Sequence, residues 1–278
     1  MIYRNRVKEA IQKTGLAMGT FIQTASPENA EIAAACGFDF LILDMEHGSF
    51  GIDPLVHLIR GVQVGGATPV VRLPDHTETN IYKVLDAGAT GILMPGVSTA
   101  EQAEKIARAA RYAPAGTRGA CPRVRAAAHG VHPWEKHVQW SEENVMVWLI
   151  IESLEGLRNL QKIVKTPGID AVGFGAFDLS QEMGLQGQTG HPKVRRKIEE
   201  GISIALGNNV SVHMHLFEVS PREIKQSVRR WAGLGASILT CMTDRRVLAT
   251  GLKETFASLA SIRDKPGRRT KGTKENYR

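Results

Sequence analysis

Eight short, strongly apolar runs alternate with amphipathic stretches along nearly the whole chain, and this rhythm limits the possible folds more than any other feature. The runs are "LAMGTFIQT" (16–24), "FDFLILDM" (38–45), "TPVVRL" (68–73), "GILMPGV" (91–97), "VMVWLIIE" (145–152), "IDAVGFG" (169–175), "VSVHMHLF" (210–217) and "SILTCM" (237–242). Their length and β-branched content read as strands. Most are apolar at consecutive positions, as strands buried on both faces are. Between them, segments such as "TAEQAEKIARAARY" and "LEGLRNLQKIV" carry the 3.6-residue period, and several helical stretches end at a glycine that can cap them in the left-handed region. Strand followed by covering helix, eight times over, predicts an α/β fold: a single-domain (β/α)8 TIM barrel over residues 1–264.

One connection breaks the rhythm. Residues 113–143 show no clear period and read as an irregular insertion between the fourth helix and the fifth strand, on the barrel face opposite the strand C-termini.

The 278 residues carry a net charge of +7, which raises the question of a nucleic-acid partner. The charge is unevenly placed. Residues 265–278 hold six Lys/Arg against one Glu, so +5 of the +7 lies in a short basic stretch that reads as a flexible tail. It lacks the interleaved aromatics of a stacking platform, and nucleic acid is not the expected partner. Cys36, Cys121 and Cys241 are far apart and in no metal-binding or disulfide spacing. With no leader-like N-terminus and no run of roughly 20 apolar residues, a cytoplasmic location and no membrane association are expected.

In a barrel of this kind the strand C-termini and the loops after them line the active site. The ionisable residues there are Asp44, Glu46 and His47 after the second strand, Arg72 on the third, Glu152 ending the fifth and Asp178 beyond the sixth. Strand alternation puts Arg72 on the side of Val70, and Glu152 on the side of Ile150 and Trp148. Any one of these could be a structural ion pair; five or six on one rim point to chemistry. Glu152 and Asp178 offer hard oxygen ligands suited to Mg²⁺ or Mn²⁺, leaving positions for an oxygen-rich substrate. Such an ion acts as a Lewis acid, Arg72 adds a fixed positive fork, and His47 is the natural acid/base. Glu46 is expected to pair with Arg72, and Asp44 to be structural or water-organising. The chemistry implied is proton abstraction or carbon–carbon cleavage next to a 2-oxo acid.

Other motifs compete weakly. "GFGAFD" (173–178) lacks the third glycine of a dinucleotide fingerprint, and no GxxxxGK[ST], HExxH or GxSxG occurs. No candidate strand contains a lysine, which argues against imine catalysis. His213 and His215 fall on one side of the seventh strand, as a two-histidine metal pair or as pocket-lining residues. Met18, Phe21, Trp134, Phe177 and His215 are candidates for shaping the pocket.

Six stretches, "GFDFLILDMEHG", "PVVRLP", "VLDAGATGILMPGV", "RYAPAGTRG", "IIESLEGLRNL" and "GAFDLSQEMG", carry a resemblance over about residues 5–262 to the HpcH/HpaI aldolase family, metal-dependent class II pyruvate aldolases on a (β/α)8 barrel. The resemblance implies that Glu152 and Asp178 hold the divalent metal, Mg²⁺ or Mn²⁺ with Co²⁺ as a further option. It implies that Arg72 polarises the substrate carbonyl and that the backbone around Gly175, Ala176 and Phe177 holds the pyruvate carboxylate. His47 would form an acid/base dyad with Asp86 supplied by a neighbouring subunit. It further implies a homo-oligomer, a hexamer built as a trimer of dimers, with the final helix (244–264) exchanged between subunits.

The chain also departs from the family pattern. Ile150 stands where a Gln is usual, Ala176 where Pro is usual, and Met18 and Phe21 where many members carry a Trp. The rim residues and the resemblance together imply a metal-dependent aldolase working through a metal-bound enolate of pyruvate or a related 2-oxo acid, and the departures at Ile150 and Ala176 motivate the alternatives. The alternatives are a citrate-synthase-like condensation of an acyl-CoA with oxaloacetate, as in the siderophore-pathway branch, oxaloacetate decarboxylation, or a barrel without catalysis whose tail binds a partner.

Overall fold

The computed structural model describes residues 4–263. The chain divides into two compact units, one running up to Asp244 and the other starting at Arg245. The first holds eight strands: β1 (Ala17–Ile22), β2 (Phe40–Asp44), β3 (Thr68–Arg72), β4 (Gly91–Met94), β5 (Met146–Ile151), β6 (Ala171–Phe174), β7 (Ser211–Leu216) and β8 (Ile238–Thr243). Each pairs in parallel with the next, and β1 pairs with β8, so the sheet closes into the barrel that the strand–helix rhythm predicts. Several strands stop inside their apolar runs. β4 ends at Met94 because Pro95 has no N–H to donate to the ladder.

Alternation along the strands builds two cores. Phe40, Ile42, Val70, Trp148, Ile150 and Ile238 point inward and fill the barrel. Their neighbours Leu41, Leu43, Val71 and Val147 point outward into the layer shared with the helices. The foot of the barrel is closed by helix Arg6–Thr14, whose Val7 is fully buried against the inner core. Asn5 caps that helix, accepting from the amides of Val7 and Lys8 at 3.0 and 3.2 Å.

The β1–β8 ladder changes register between Gly19 and Phe21, and Met242 on β8 takes a left-handed φ of 61°. A bulge of this kind re-aims side chains at a strand end. Phe21, just beyond it, is buried against the inner core.

The segment 113–143 is less irregular than its sequence suggests. It contains most of a helix, Trp134–Asn144, hidden from pattern reading because only His137 and Ser141 on it are buried. Its core is aromatic and hydrogen-bonded: Tyr112 meets Trp134 edge-on at 5.0 Å and its hydroxyl lies 3.1 Å from His137 Nε2.

Helix Asp244–Arg263, which belongs to the second unit from Arg245 onward, exposes Val247, Leu248, Leu252, Phe256, Leu259 and Ile262. Residues 265–278, expected to form a basic tail, lie outside the described residues. No described helix is long and apolar enough to cross a membrane.

Candidate active site

The rim of the barrel is organised around one buried carboxylate. Asp44 ends β2 and stands in register with Arg72, which ends β3. Adjacent parallel strands thus bring the two side chains together without any loop. Arg72 donates to both Asp44 oxygens, Nε to Oδ1 at 2.8 Å and Nη2 to Oδ2 at 2.7 Å, and Asp44 is fully buried. Such a fork-to-fork pair fixes the guanidinium plane. Asp44 also accepts from Gln23 Nε2 at 2.8 Å and from the amides of Glu46 and His47 at 3.2 Å each. Burial by itself would raise the Asp44 carboxyl, but Arg72 and these further donors outweigh it and hold the group below its ordinary value.

Glu46 completes the clamp, with Oε2 3.0 Å from Arg72 Nη1. Burial lifts its carboxyl above the ordinary range against the pull of Arg72 and His47. His47 is mostly exposed, its Nε2 3.9 Å from Glu46 Oε2. The two hydrogen bonds to Asp44 use Nε–H and one N–H of Nη2, and Glu46 forms an ion pair with Nη1.

Glu152, one residue beyond β5, is balanced differently. Its Oε1 accepts from the Gly96 amide at 2.6 Å. A Cβ on Gly175 would lie 2.6 Å from its Oε2, so that position must be glycine for the carboxylate to sit there. Burial pushes Glu152 up to about 7, Asp178 and Glu46 add like charge, and the Gly96 amide and Arg72 only partly offset them. Asp178 comes from the first turn of helix Ala176–Glu182, which starts directly after β6.

His47, Arg72, Glu152, Gly175, Phe177 and Asp178 all line one cavity of about 500 Å³. Ala176 is buried behind it. Asp86 is elsewhere. It ends helix Glu78–Asp86, a helix C-terminus and so at the foot of the barrel, and Arg118 of the 113–143 segment donates to its Oδ1 at 2.7 Å. The same segment reaches the Asp86 backbone, where Ala126 N–H donates to the carbonyl at 3.0 Å. Burial raises the Asp86 carboxyl, and Arg118 opposes the rise.

The wall facing the carboxylates is formed by β7 and β8. His213 Nε2 and His215 Nδ1 converge on one hydroxyl, Thr240 Oγ1, at 2.9 and 3.1 Å. The spacing that suggested a metal pair therefore serves a shared threonine. Gln23 and Thr243 also line the cavity, and neither stood out in the sequence, because an uncharged polar residue at a strand end carries no pattern of its own. Among the other pocket candidates, Phe21, Phe177 and His215 line this cavity. Met18 borders a separate cleft with Arg4, Arg6 and Lys13, and Trp134 packs inside the 113–143 segment.

Among the described residues no three His, Cys, Asp or Glu side chains cluster as a metal cage. The paired carboxylates still fit a hard divalent cation that keeps several waters, since Glu152 sits among negative charge that its surroundings leave uncompensated.

Barrel and rim together define an enzyme whose catalytic face is acidic and braced by one arginine. The HpcH/HpaI aldolase/citrate lyase family model matches residues 17–242, and the chain belongs to that family. The chain is 32% identical over 272 residues to 2-keto-3-deoxy-L-rhamnonate aldolase of Shigella sonnei (strain Ss046), covering 97% of each chain. It is 32% identical over 254 residues to hydroxypyruvate/pyruvate aldolase of Pseudomonas aeruginosa, covering 90% of this chain and 91% of that one. Among solved structures, citrate synthase SbnG superposes with a TM-score of 0.80 at 27% identity, over 91% of this chain and 97% of that chain.

Proposed function

We propose that this protein is a divalent-metal-dependent aldolase that makes or cleaves 4-hydroxy-2-oxo acids through the enolate of pyruvate or a related 2-oxo acid. The observation that carries the reading is Glu152, pushed up to about 7 beside Asp178 and Glu46 in a cavity that also presents Arg72. Glu152 and Asp178 would hold Mg²⁺ or Mn²⁺, with Co²⁺ a third option. The ion supplies electrophilic polarisation of the 2-oxo acid oxygens.

The chain's own residues supply the rest. Arg72, held flat by Asp44 and paired with Glu46, offers N–H groups of its terminal nitrogens to the substrate's oxo oxygen, where negative charge develops as the enolate forms. The Ala176 and Phe177 amides, in the first helical turn after Gly175, have no intrahelical acceptor and receive the substrate carboxylate. His47 moves the proton on the reacting hydroxyl. The family resemblance implies Asp86 of a second copy as its dyad partner; the chain's own Asp86 lies at the foot of the barrel, bonded to Arg118. A second copy also gives the apolar residues of helix Asp244–Arg263 something to cover them in the hexamer implied by the family resemblance.

The common step is tested by pyruvate methyl-proton exchange in D₂O followed by NMR. Exchange is expected to need a divalent metal and to be lost with a chelator or in Glu152→Gln. Metal-independent exchange that survives Glu152→Gln would overturn the assignment.

A second reading is citrate-synthase-like condensation of an acyl-CoA with oxaloacetate. It is supported by Ile150, which puts an apolar side chain in the cavity wall two residues before Glu152, and by the likeness to citrate synthase SbnG. Thiol release from acetyl-CoA in the presence of oxaloacetate would support this reading, and its absence would remove it.

A further inference from the structure

The carboxylate end accounts for only one side of the cavity. A three-carbon oxo acid held there leaves most of the 500 Å³ unfilled, and the remaining surface has a distinct chemistry. Phe21 lies between the two sides: Arg72 Cζ sits 5.0 Å over its ring, and His215 meets it edge-on at 5.1 Å. His215 in turn meets Phe217 edge-on at 4.8 Å. The result is a continuous row of three aromatic rings running from the arginine to the mouth.

At the mouth Phe217 is 47% exposed and Phe177 48% exposed. Two half-exposed phenyl rings lining one cavity are apolar surface that an apolar occupant would cover. The polar capacity of this side is small. Thr240 engages one nitrogen of each imidazole, and His213 Nδ1 faces β6, where a Cβ on Gly173 would come within 2.9 Å of it. His215 Nε2 and the Thr243 hydroxyl at the end of β8 are the polar groups this side offers a substrate hydroxyl. Burial holds both rings neutral, down to about 3 for His213 and about 4 for His215, so the wall carries no positive charge at neutral pH. Among the residues lining the cavity Arg72 is the one Lys or Arg, and Asp44 and Glu46 already hold it.

We propose that the row Phe21–His215–Phe217 is the acceptor subsite of this enzyme and that it takes an uncharged, ring-bearing aldehyde. The proposal rests on the enolate reading above and adds the acceptor's chemical class to it. In the condensation direction the enolate carbon, having lost one methyl proton, bonds to the aldehyde carbon. The carbonyl π pair moves to the aldehyde oxygen, which takes up one proton, and the product is a 4-hydroxy-2-oxo acid with a ring at C4. An acceptor ending in a second carboxylate would have to bury that charge against phenyl rings, since Arg195 and Arg230 line a neighbouring cleft that shares His215 and Phe217, and Arg230 is already paired with Glu199.

The test uses the metal-loaded full chain with pyruvate and three aldehydes: benzaldehyde, glyceraldehyde and succinic semialdehyde. Pyruvate proton exchange is measured in parallel. Benzaldehyde is expected to exceed both others in kcat/KM by roughly tenfold or more. A smaller margin, or either other aldehyde ahead, overturns the acceptor assignment while leaving the enolate reading intact if exchange persists. Absence of exchange in the unaltered protein removes the enolate reading, and this proposal with it. Phe217→Arg, at a position exposed enough to accept the charge, should lower the benzaldehyde to succinic semialdehyde ratio by roughly tenfold, the semialdehyde gaining rate. A ratio that does not move overturns the proposal even if total activity falls.

Discussion

The two sides of the cavity bury ionisable groups in opposite ways. On the β2–β3 side, charge is kept and matched: Arg72 lies between Asp44 and Glu46, and the hydrogen bonds to Asp44 outweigh the cost of burying it. On the β7–β8 side, charge is expelled: His213 and His215 meet no carboxylate hydrogen-bond partner, share a neutral hydroxyl and stay unprotonated. Glu152 stands between these solutions, with the burial of the second side and too little of the positive charge of the first. The contrast shows how one barrel mouth can offer an ionic end and a neutral end within a single cavity, according to which strands place a counter-charge in register.

Substitutions at the boundary should break this contrast most severely. Glu152→Gln is expected to reduce metal-dependent pyruvate exchange by on the order of a thousandfold, since several kcal/mol of charge stabilisation depend on the bound ion. Isothermal titration with Mn²⁺ should show the matching loss of affinity. Arg72→Lys keeps the charge but loses the fork to Asp44, and exchange should fall by about a hundredfold without unfolding, as checked by circular dichroism.

A pH titration sharpens the comparison by sign. A carboxyl raised to about 7 competes with metal, so apparent Mn²⁺ affinity should fall about tenfold per pH unit below 7. In the metal-free protein the same group is protonated when folded and ionised when unfolded between its ordinary value and 7. It therefore costs stability in full above pH 7, and the cost shrinks as pH falls from 7 and is gone below the ordinary value of 4.5. Glu152→Gln should then raise the melting temperature at pH 8 by a few degrees, about the shift of 1 kcal/mol in a chain of this size. The histidine side runs the other way. His213 and His215 are depressed, so their contribution is full above about 6.5 and is lost as pH falls toward 4. Thr240→Val should give the smallest effect, about 1–2 kcal/mol in denaturant unfolding, from the lost shared hydroxyl.

The fold was legible because its signal is repetitive: eight apolar runs spaced by amphipathic helices leave few ways to close a sheet. The rim was legible for a related reason, since Asp44, Arg72, Glu152 and Asp178 are ionisable residues at the ends of apolar runs. Gln23, Thr240 and Thr243 were not, because their importance comes from register across β1, β2, β7 and β8, which no local pattern encodes. His213 and His215 were visible by spacing, but only the position of Thr240 on the adjacent strand decides what they bind. Helix Trp134–Asn144 was missed because it buries too narrow a face to show a period.

The placement of Asp86 has a consequence for stoichiometry. With His47 at the mouth and Asp86 clamped by Arg118 at the foot, neither end of one chain contains a whole proposed proton relay. Two separately inactive preparations, His47→Ala and Asp86→Asn, should regain part of wild-type turnover when co-refolded, because mixed assemblies contain some junctions where both residues are intact. A single copy carrying one of these substitutions among normal ones should, by the same reasoning, spoil one relay only: His47→Ala its own, Asp86→Asn its neighbour's.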